Sequence, residues 1–183
     1  HSALGLRPSV LEFAESLRTD GHTVVTPDLY EGRVFDDVDA GAAHRDAVGI
    51  EELSRRAHRA VADLPERIVY AGFSMGSASA QMLAGSRQGA AGLIMMHGAI
   101  PPHYLGIERW PAVPVQIHYA VSDPWVGEDE VAALTDAVRA VGERCDVHAY
   151  EQGGHLFADA DVPDYSPASA DLMRERVGQF LAG

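Results

Sequence analysis

The stretch VYAGFSMGSASAQ, residues 69–81, carries the pattern that decides the fold of this chain. An apolar, β-branched run leads into Gly72, Ser74 and Gly76 in the arrangement G-x-S-x-G, and small residues follow. This order predicts a strand, a tight turn and a helix. A serine at such a turn projects clear of the sheet, because glycines two residues before and after it let the two backbones approach closely. The N–H of Met75, at the helix N-terminus, would point at a developing oxyanion.

The composition is that of a soluble globular chain. Its 183 residues, 46% hydrophobic and 22% charged, are enough for one domain with a buried core. The formal net charge of −13 disfavours nucleic acids and anionic membrane surfaces as partners. No apolar run approaches the roughly 20 residues of a membrane span. The single Cys145 cannot form an internal disulfide, which suits a reducing compartment, so we expect a cytoplasmic protein.

Strand-like and helix-like segments alternate along the chain. The strands read as continuous apolar runs, which predicts a mostly parallel sheet with helices on both faces. We predict strands at residues 22–27, 67–73, 92–97, 113–119 and 146–150. We predict helices at residues 9–20, 50–64, 76–86, 131–141 and 172–181. Ser9 and Glu12 predict a capping box for the first helix, and residues 28–42 a surface loop. Residues 1–183 are therefore interpreted as a single α/β domain.

The opening residues HSALGLRPSV, 1–10, are typical of a loop that follows a strand. We therefore expect a first β-strand to precede His1. This expectation also leaves open an upstream signal peptide that has been removed.

Candidate partners for Ser74 follow two later strands. In parallel sheets the reactive groups collect beyond the carboxyl ends of the strands. Asp123 comes after the strand at 113–119, and His155 after the strand at 146–150. Serine, acid and histidine in this order, each at the end of a different strand, predict a catalytic triad. In it His155 takes the proton of Ser74, and Asp123 orients the imidazole.

With these motifs in place, the chain resembles the dienelactone hydrolase family within the α/β-hydrolase fold. The matching motifs are PDLYEG at 27–32, GFSMG at 72–76, DPWV at 123–126, GGHLFAD at 153–159 and PDY at 163–165. The resemblance covers essentially the whole chain from His1. It implies a hydrolase of carboxylic esters, lactones or thioesters that forms an acyl-enzyme and needs no cofactor. It also implies that the N–H of Ala3 is the second oxyanion donor beside that of Met75.

Three positions depart from the pattern of the founding family members. Those members carry a cysteine at the elbow, where Ser74 stands here. They carry a glutamate in the loop after the first strand, where Ser2 stands, and an arginine shortly after the catalytic histidine, where Asp159 stands. A carboxylate at that last position would repel an anionic substrate. We therefore favour a neutral or cationic ester, thioester or lactone.

Several other side chains are candidates for the walls of the substrate pocket, because they lie near predicted strand ends or in adjoining loops. They are Ser2, Tyr30, Phe73, His97, Tyr104, Trp125, Phe157 and Asp159. The alternative for the aromatic residues is a place in the core, and for His97 a structural hydrogen-bonding role. Cys145 is expected to be a half-buried apolar filler. The sequence has neither metal-ligand spacing nor a phosphate-binding glycine pattern, so we expect no metal and no cofactor.

Two other classes of function stay open at this point. One is a non-catalytic α/β-hydrolase domain that binds a small molecule or a partner, since fold does not fix function. The other is the same triad acting on an amide or a C–C bond, because pocket walls rather than the triad select the substrate. We expect a small-molecule substrate and a monomer or homodimer.

Overall fold

Four parallel strands form the sheet, and they lie side by side in sequence order. They are β1 (Val69–Phe73), β2 (Gly92–Met96), β3 (Val115–Ala120) and β4 (Cys145–Tyr150). The structure is a computed structural model that describes all residues from 1 to 183. Phe73 is in register with Met96, and Met96 with His118, so the strands end at one edge of the sheet. The predicted site residues follow these ends.

Helices precede, connect and follow the strands, and the connection between β2 and β3 contains only a 3-10 turn. The helices are α1 (Pro8–Thr19), α2 (Val38–Val48), α3 (Ile50–Ala60), α4 (Met75–Ser86), α5 (Glu128–Ala140) and α6 (Pro167–Leu181), with a 3-10 turn at Pro102–Leu105. None of them is long and apolar enough to cross a membrane.

The sheet separates two apolar layers, and the residues of β2 alternate between them. Leu93 and Met95 pack into a layer formed with α3, α4 and α5. Ile94 and Met96 pack into the opposite layer, formed with α1 and α6. All four side chains are buried, because alternate residues of a strand face opposite sides and both sides are covered. This confirms the predicted α/β architecture.

The capping box predicted for the first helix is wrong. The helix begins at Pro8, and Arg7 is its N-cap residue without a side-chain capping bond. Proline is favoured at the first helical position because it has no N–H to satisfy there. Ser9 therefore lies one residue inside the helix, where its hydroxyl cannot cap, and its Oγ atom has no hydrogen-bond partner.

The loop predicted at 28–42 is too long, because α2 begins within it. The side chain of Asp37 accepts a hydrogen bond from the N–H of Ala40 at 2.8 Å and so caps the helix. The sequence gives α2 little amphipathic pattern, and only Gly41 within it is buried. A helix with so small a buried face has no apolar period to detect.

The strand predicted at 22–27 is also absent. These residues take part in no strand pairing, because no partner strand lies within hydrogen-bonding distance. Val24 and Val25 line an apolar groove of about 570 Å³ together with Ile68 and Val69, which lie at the free edge of the sheet. The β-strand expected before His1 concerns residues outside the sequence and stays a prediction.

Candidate active site

Ser74 is held in a strained turn between β1 and α4. Its backbone has φ 51° and ψ −112°, a conformation that residues with a Cβ rarely adopt. Such a residue costs about 1–3 kcal/mol and persists only where its surroundings impose the conformation. Here the N–H of Ser74 donates to the carbonyl of Met96 at 2.7 Å, and the N–H of Ser77 donates to the carbonyl of Ser74 at 2.8 Å. The hydroxyl therefore projects from a fixed backbone.

The two glycines of the elbow are required by close backbone contacts. A Cβ atom at Gly72 would overlap the backbone of Gly76, so β1 and α4 could not approach as they do. A Cβ atom at Gly76 would lie 2.7 Å from the carbonyl oxygen of His1. The first loop of the chain therefore lies directly against the start of α4.

The structure brings Ser74, His155 and Asp123 together in one hydrogen-bonded chain. The Oγ atom of Ser74 lies 2.8 Å from Nε2 of His155. Nδ1 of His155 lies 2.7 Å from Oδ2 and 2.9 Å from Oδ1 of Asp123. With the ring proton on Nδ1, the imidazole donates to the carboxylate and Nε2 is free to accept from the serine. This is the geometry in which a histidine can act as a base toward a serine hydroxyl.

Backbone groups hold the two partners of Ser74 in place. Asp123 is buried, and its Oδ1 accepts a second hydrogen bond from the N–H of Trp125 at 2.8 Å. The loop that carries His155 is fixed by Asp164, which accepts from the N–H of Leu156 at 3.2 Å through its carboxylate. A Cβ atom at Gly154 would overlap that carboxylate. Sequence reasoning missed this role of Asp164, although the residue stands in the PDY motif.

The two predicted oxyanion donors come from neighbouring backbone segments. The N–H of Met75 is among the first four of α4, which have no carbonyl partner within the helix. Ala3 lies in a tight turn in which the N–H of Gly5 donates to the carbonyl of Ser2 at 3.1 Å. Within the same turn the N–H of Leu4 donates to the hydroxyl of Ser2 at 3.1 Å. The role of Ala3 and Met75 as donors to a substrate oxygen stays a prediction.

His97 is buried directly behind the triad. It follows β2 with φ 62°, it is 1% exposed, and neither ring nitrogen has a hydrogen-bond partner. Its ring centroid lies 4.4 Å from that of Phe157 and 6.2 Å from that of His155. Burial, with a smaller contribution from the nearby charge of His155, lowers the pKa of His97 to about 3. The imidazole of His97 is therefore neutral at ordinary pH.

Four of the predicted pocket residues line one small cavity beside the triad. Ser2, Phe73, His97 and Asp159 surround a space of about 10 Å³ together with Ser9. This volume matches about one water molecule, so the cavity is too small for a substrate. The carboxylate of Asp159 is mostly buried in this region.

The aromatic candidates divide between core and surface. Tyr30 is 1% exposed and Phe157 is 0% exposed, and each belongs to one of the two apolar layers. Both are therefore core residues, and their expected place in the wall of an open pocket is wrong. Tyr104 is 71% exposed on the 3-10 turn. Trp125 is 57% exposed, and its ring centroid lies 6.2 Å from that of His155. Cys145 is buried in β4.

Comparisons with known proteins show the family and the fold of the chain. The family model for the dienelactone hydrolase family matches residues 1–183. A dienelactone hydrolase-like promiscuous phosphotriesterase from metagenomic libraries superposes with a TM-score of 0.83 at 20% identity, over 99% of this chain and 82% of that one. A protein named as a dienelactone hydrolase from Klebsiella pneumoniae gives a TM-score of 0.77 at 19% identity, and the match covers 99% of this chain and 83% of that one.

A third similar structure is esterase 2 of Thermogutta terrifontis. It gives a TM-score of 0.55 at 17% identity, and the match covers 72% of this chain and 62% of the esterase chain. No curated protein sequence matches the chain significantly. At these identities the structures establish the fold, and the family match over the whole chain establishes the family. The chain therefore belongs to the dienelactone hydrolase family and is a hydrolase of ester bonds with an α/β-hydrolase fold.

Proposed function

We propose that this protein is a serine hydrolase that cleaves carboxylic esters, thioesters or lactones of small molecules through an acyl-enzyme. The observation that carries the proposal is the hydrogen-bonded chain from Ser74 through His155 to Asp123. Each group is within reach of its partner, and each is fixed by backbone contacts. A non-catalytic binding domain would have no need for a serine strained into this position.

In the first step, Oγ of Ser74 attacks the substrate carbonyl carbon while Nε2 of His155 takes the hydroxyl proton. The imidazolium that forms is stabilised by the buried carboxylate of Asp123. The carbonyl oxygen becomes an oxyanion, for which the N–H groups of Met75 and Ala3 are the proposed donors. When the tetrahedral intermediate collapses, His155 gives its proton to the leaving alcohol or thiol.

In the second step, His155 takes a proton from water, and the resulting hydroxide attacks the acyl group on Ser74. The intermediate expels Oγ, which recovers its proton from His155, and the carboxylic acid leaves. The protein is regenerated without any cofactor. His97 assists this step by being neutral, because a second positive charge beside His155 would disfavour the imidazolium.

Covalent labelling tests the nucleophile directly. Esterase 2 of Thermogutta terrifontis has been captured phosphorylated by paraoxon, so organophosphates are suitable probes for a protein of this fold. We expect a fluorophosphonate or paraoxon to add one adduct per folded chain, located on Ser74 by mass spectrometry. Ser74→Ala should give no adduct. Ser86→Ala, an exposed serine on α4, is the matched control and should be labelled like the unchanged protein.

A panel of substrates then separates the bond types. We expect turnover of p-nitrophenyl acetate and of short thioesters and lactones, and none by Ser74→Ala. Absence of an adduct on Ser74 in folded protein would overturn the proposal. Turnover of an amide, with no turnover of any ester, would instead assign the triad to a different bond.

A further inference from the structure

An ion pair between Arg7 and Asp159 joins the first loop of the chain to the loop that carries His155. Nε of Arg7 lies 3.1 Å from Oδ2 of Asp159. Both residues are more than nine-tenths buried, with exposures of 6% and 8%. Charges removed from water are costly unless each has a partner, so the two side chains must stay together while the chain is folded. The pair therefore restricts where both loops can lie.

The guanidinium of Arg7 also holds a third segment. Nη1 donates to the carbonyl of Phe35 at 2.7 Å and to the carboxylate of Asp36 at 3.1 Å. The N–H of Phe35 in turn donates to the carbonyl of Leu4 at 2.9 Å. Because the donors of a guanidinium form a rigid planar fork, the two bonds of Nη1 fix the segment at 35–36 in direction as well as distance. Nε makes no hydrogen bond, so Asp159 is held to Arg7 by the attraction of opposite charges at 3.1 Å.

Both ends of the ion pair lie close in sequence to groups of the proposed reaction. Arg7 ends the loop that contains Ala3, the proposed oxyanion donor. Asp159 lies four residues after His155, and its N–H donates to the carbonyl of Leu156 at 2.9 Å. The carboxylate is thus part of the tight turn that directly follows the proposed base. A shift of this turn would move the imidazole.

We propose that Arg7 and Asp159 are positioning residues for the hydrolysis proposed above, on which this inference rests. Their ion pair sets the placement of His155 relative to the N–H of Ala3. Neither side chain touches the reacting atoms. They act through the two loops, and a misplacement of about 1 Å in such an alignment can lower a rate about 100-fold.

The ion pair gives the carboxylate of Asp159 a partner other than the substrate. A carboxylate that acts on substrate charge would discriminate against anionic esters, and its neutralisation would raise kcat/KM for those esters alone. A carboxylate that positions His155 supports the turnover of every ester. Asp159→Asn should therefore lower kcat for neutral and anionic esters by the same factor.

The test uses the full chain and normalises every rate to the fraction of Ser74 that a fluorophosphonate titrates. Arg7→Met and Asp159→Asn should each lower kcat about 10- to 100-fold, with KM changed less than about threefold. Arg7→Lys keeps the charge but replaces the planar fork by a single ammonium group, so its kcat should be higher than that of Arg7→Met and lower than that of the unchanged protein. Arg87→Met is the matched control, because Arg87 donates to the carbonyls of Leu64 and Pro65 at a distance from the triad. It should lower the melting temperature and leave kcat per titrated site unchanged.

Two results would overturn the positioning role. One is an unchanged kcat per titrated site in Arg7→Met. If Arg7→Met does not fold, an unchanged kcat per titrated site in both Arg7→Lys and Asp159→Asn has the same meaning. The other is an Asp159→Asn variant that speeds the hydrolysis of anionic esters only, which would assign its carboxylate to the substrate. Failure of the proposed function looks different, because the unchanged protein would then neither be labelled nor hydrolyse any ester.

Discussion

The Oγ atom of Ser74 lies 2.8 Å from Nε2 of His155, although the two residues are 81 positions apart in the chain. Each follows a strand of the same parallel sheet, and the shared register of β1 to β4 brings the strand ends to one edge. The contact is thus a consequence of sheet topology.

Replacing Ser74 should separate catalysis from backbone strain. Both Ser74→Ala and Ser74→Gly remove the nucleophile, so each should lower ester hydrolysis at least about 1,000-fold. Glycine adopts the left-handed conformation of this position without strain, whereas alanine does not. Ser74→Gly should therefore have a free energy of unfolding about 1 kcal/mol higher than Ser74→Ala, measured by urea denaturation. Equal stability of the two variants would show that the turn stores no strain.

Gly72→Ala should damage the elbow itself. The added Cβ atom would overlap the backbone of Gly76, and backbone cannot move aside as a flexible side chain can. We expect a loss of more than about 3 kcal/mol in the free energy of unfolding, or no folded protein. Gly178→Ala is the control, since nothing lies within 4 Å of the new Cβ atom in α6. It should stabilise the protein by up to about 1 kcal/mol, because alanine favours a helix.

Asp123→Asn should leave the fold intact and impair the base. The amide can still occupy the site of the carboxylate, but it cannot stabilise the imidazolium and can hold the ring in the wrong tautomer. We expect kcat to fall about 10,000-fold, because His155 loses both the group that fixes its tautomer and the charge that stabilises its imidazolium. Circular dichroism should show unchanged secondary structure. A variant with kcat within tenfold of the unchanged protein would contradict the proposed role of Asp123.

His97 should make the stability of the protein depend on pH. Burial lowers its pKa to about 3 in the folded state, whereas an unfolded histidine titrates near pH 6.5. Between these values the unfolded chain binds a proton that the folded protein does not bind. The contribution of His97 to the free energy of unfolding is therefore fully present above about pH 6.5 and falls toward pH 3, by about 1.4 kcal/mol per pH unit.

The variant His97→Gln cannot titrate, so its unfolding free energy should fall less steeply with decreasing pH. Denaturant unfolding at pH 7, 6 and 5 measures how steeply the unfolding free energy of each protein changes with pH. The difference between the two slopes is the test, because His118 is also buried with a lowered pKa and makes a contribution of the same sign in both proteins. Identical slopes would mean that His97 is protonated in the folded state as readily as in the unfolded state.

The elbow could be predicted because it depends on local sequence, and Asp123 and His155 could be predicted because each follows an apolar run that marks a strand. Gly72 and Gly76 around Ser74 specify a turn that few other sequences can form, and apolar runs mark the four strands. The segment at 22–27 has the same apolar, β-branched character, yet no strand forms there. A strand exists only when a neighbour supplies hydrogen bonds, and its own residues do not contain that information.

The sequence by itself determined the α/β fold, the strained serine and the two residues that follow later strands to meet it. Only the tertiary structure decided that Arg7 and Asp159 form a buried ion pair, that Tyr30 and Phe157 belong to the core, and that His97 is buried without hydrogen-bond partners. The physical reason is the separation along the sequence of the residues that interact. Turns and strand ends follow from neighbouring residues, whereas burial and charge pairing depend on which distant segments the folded chain packs together.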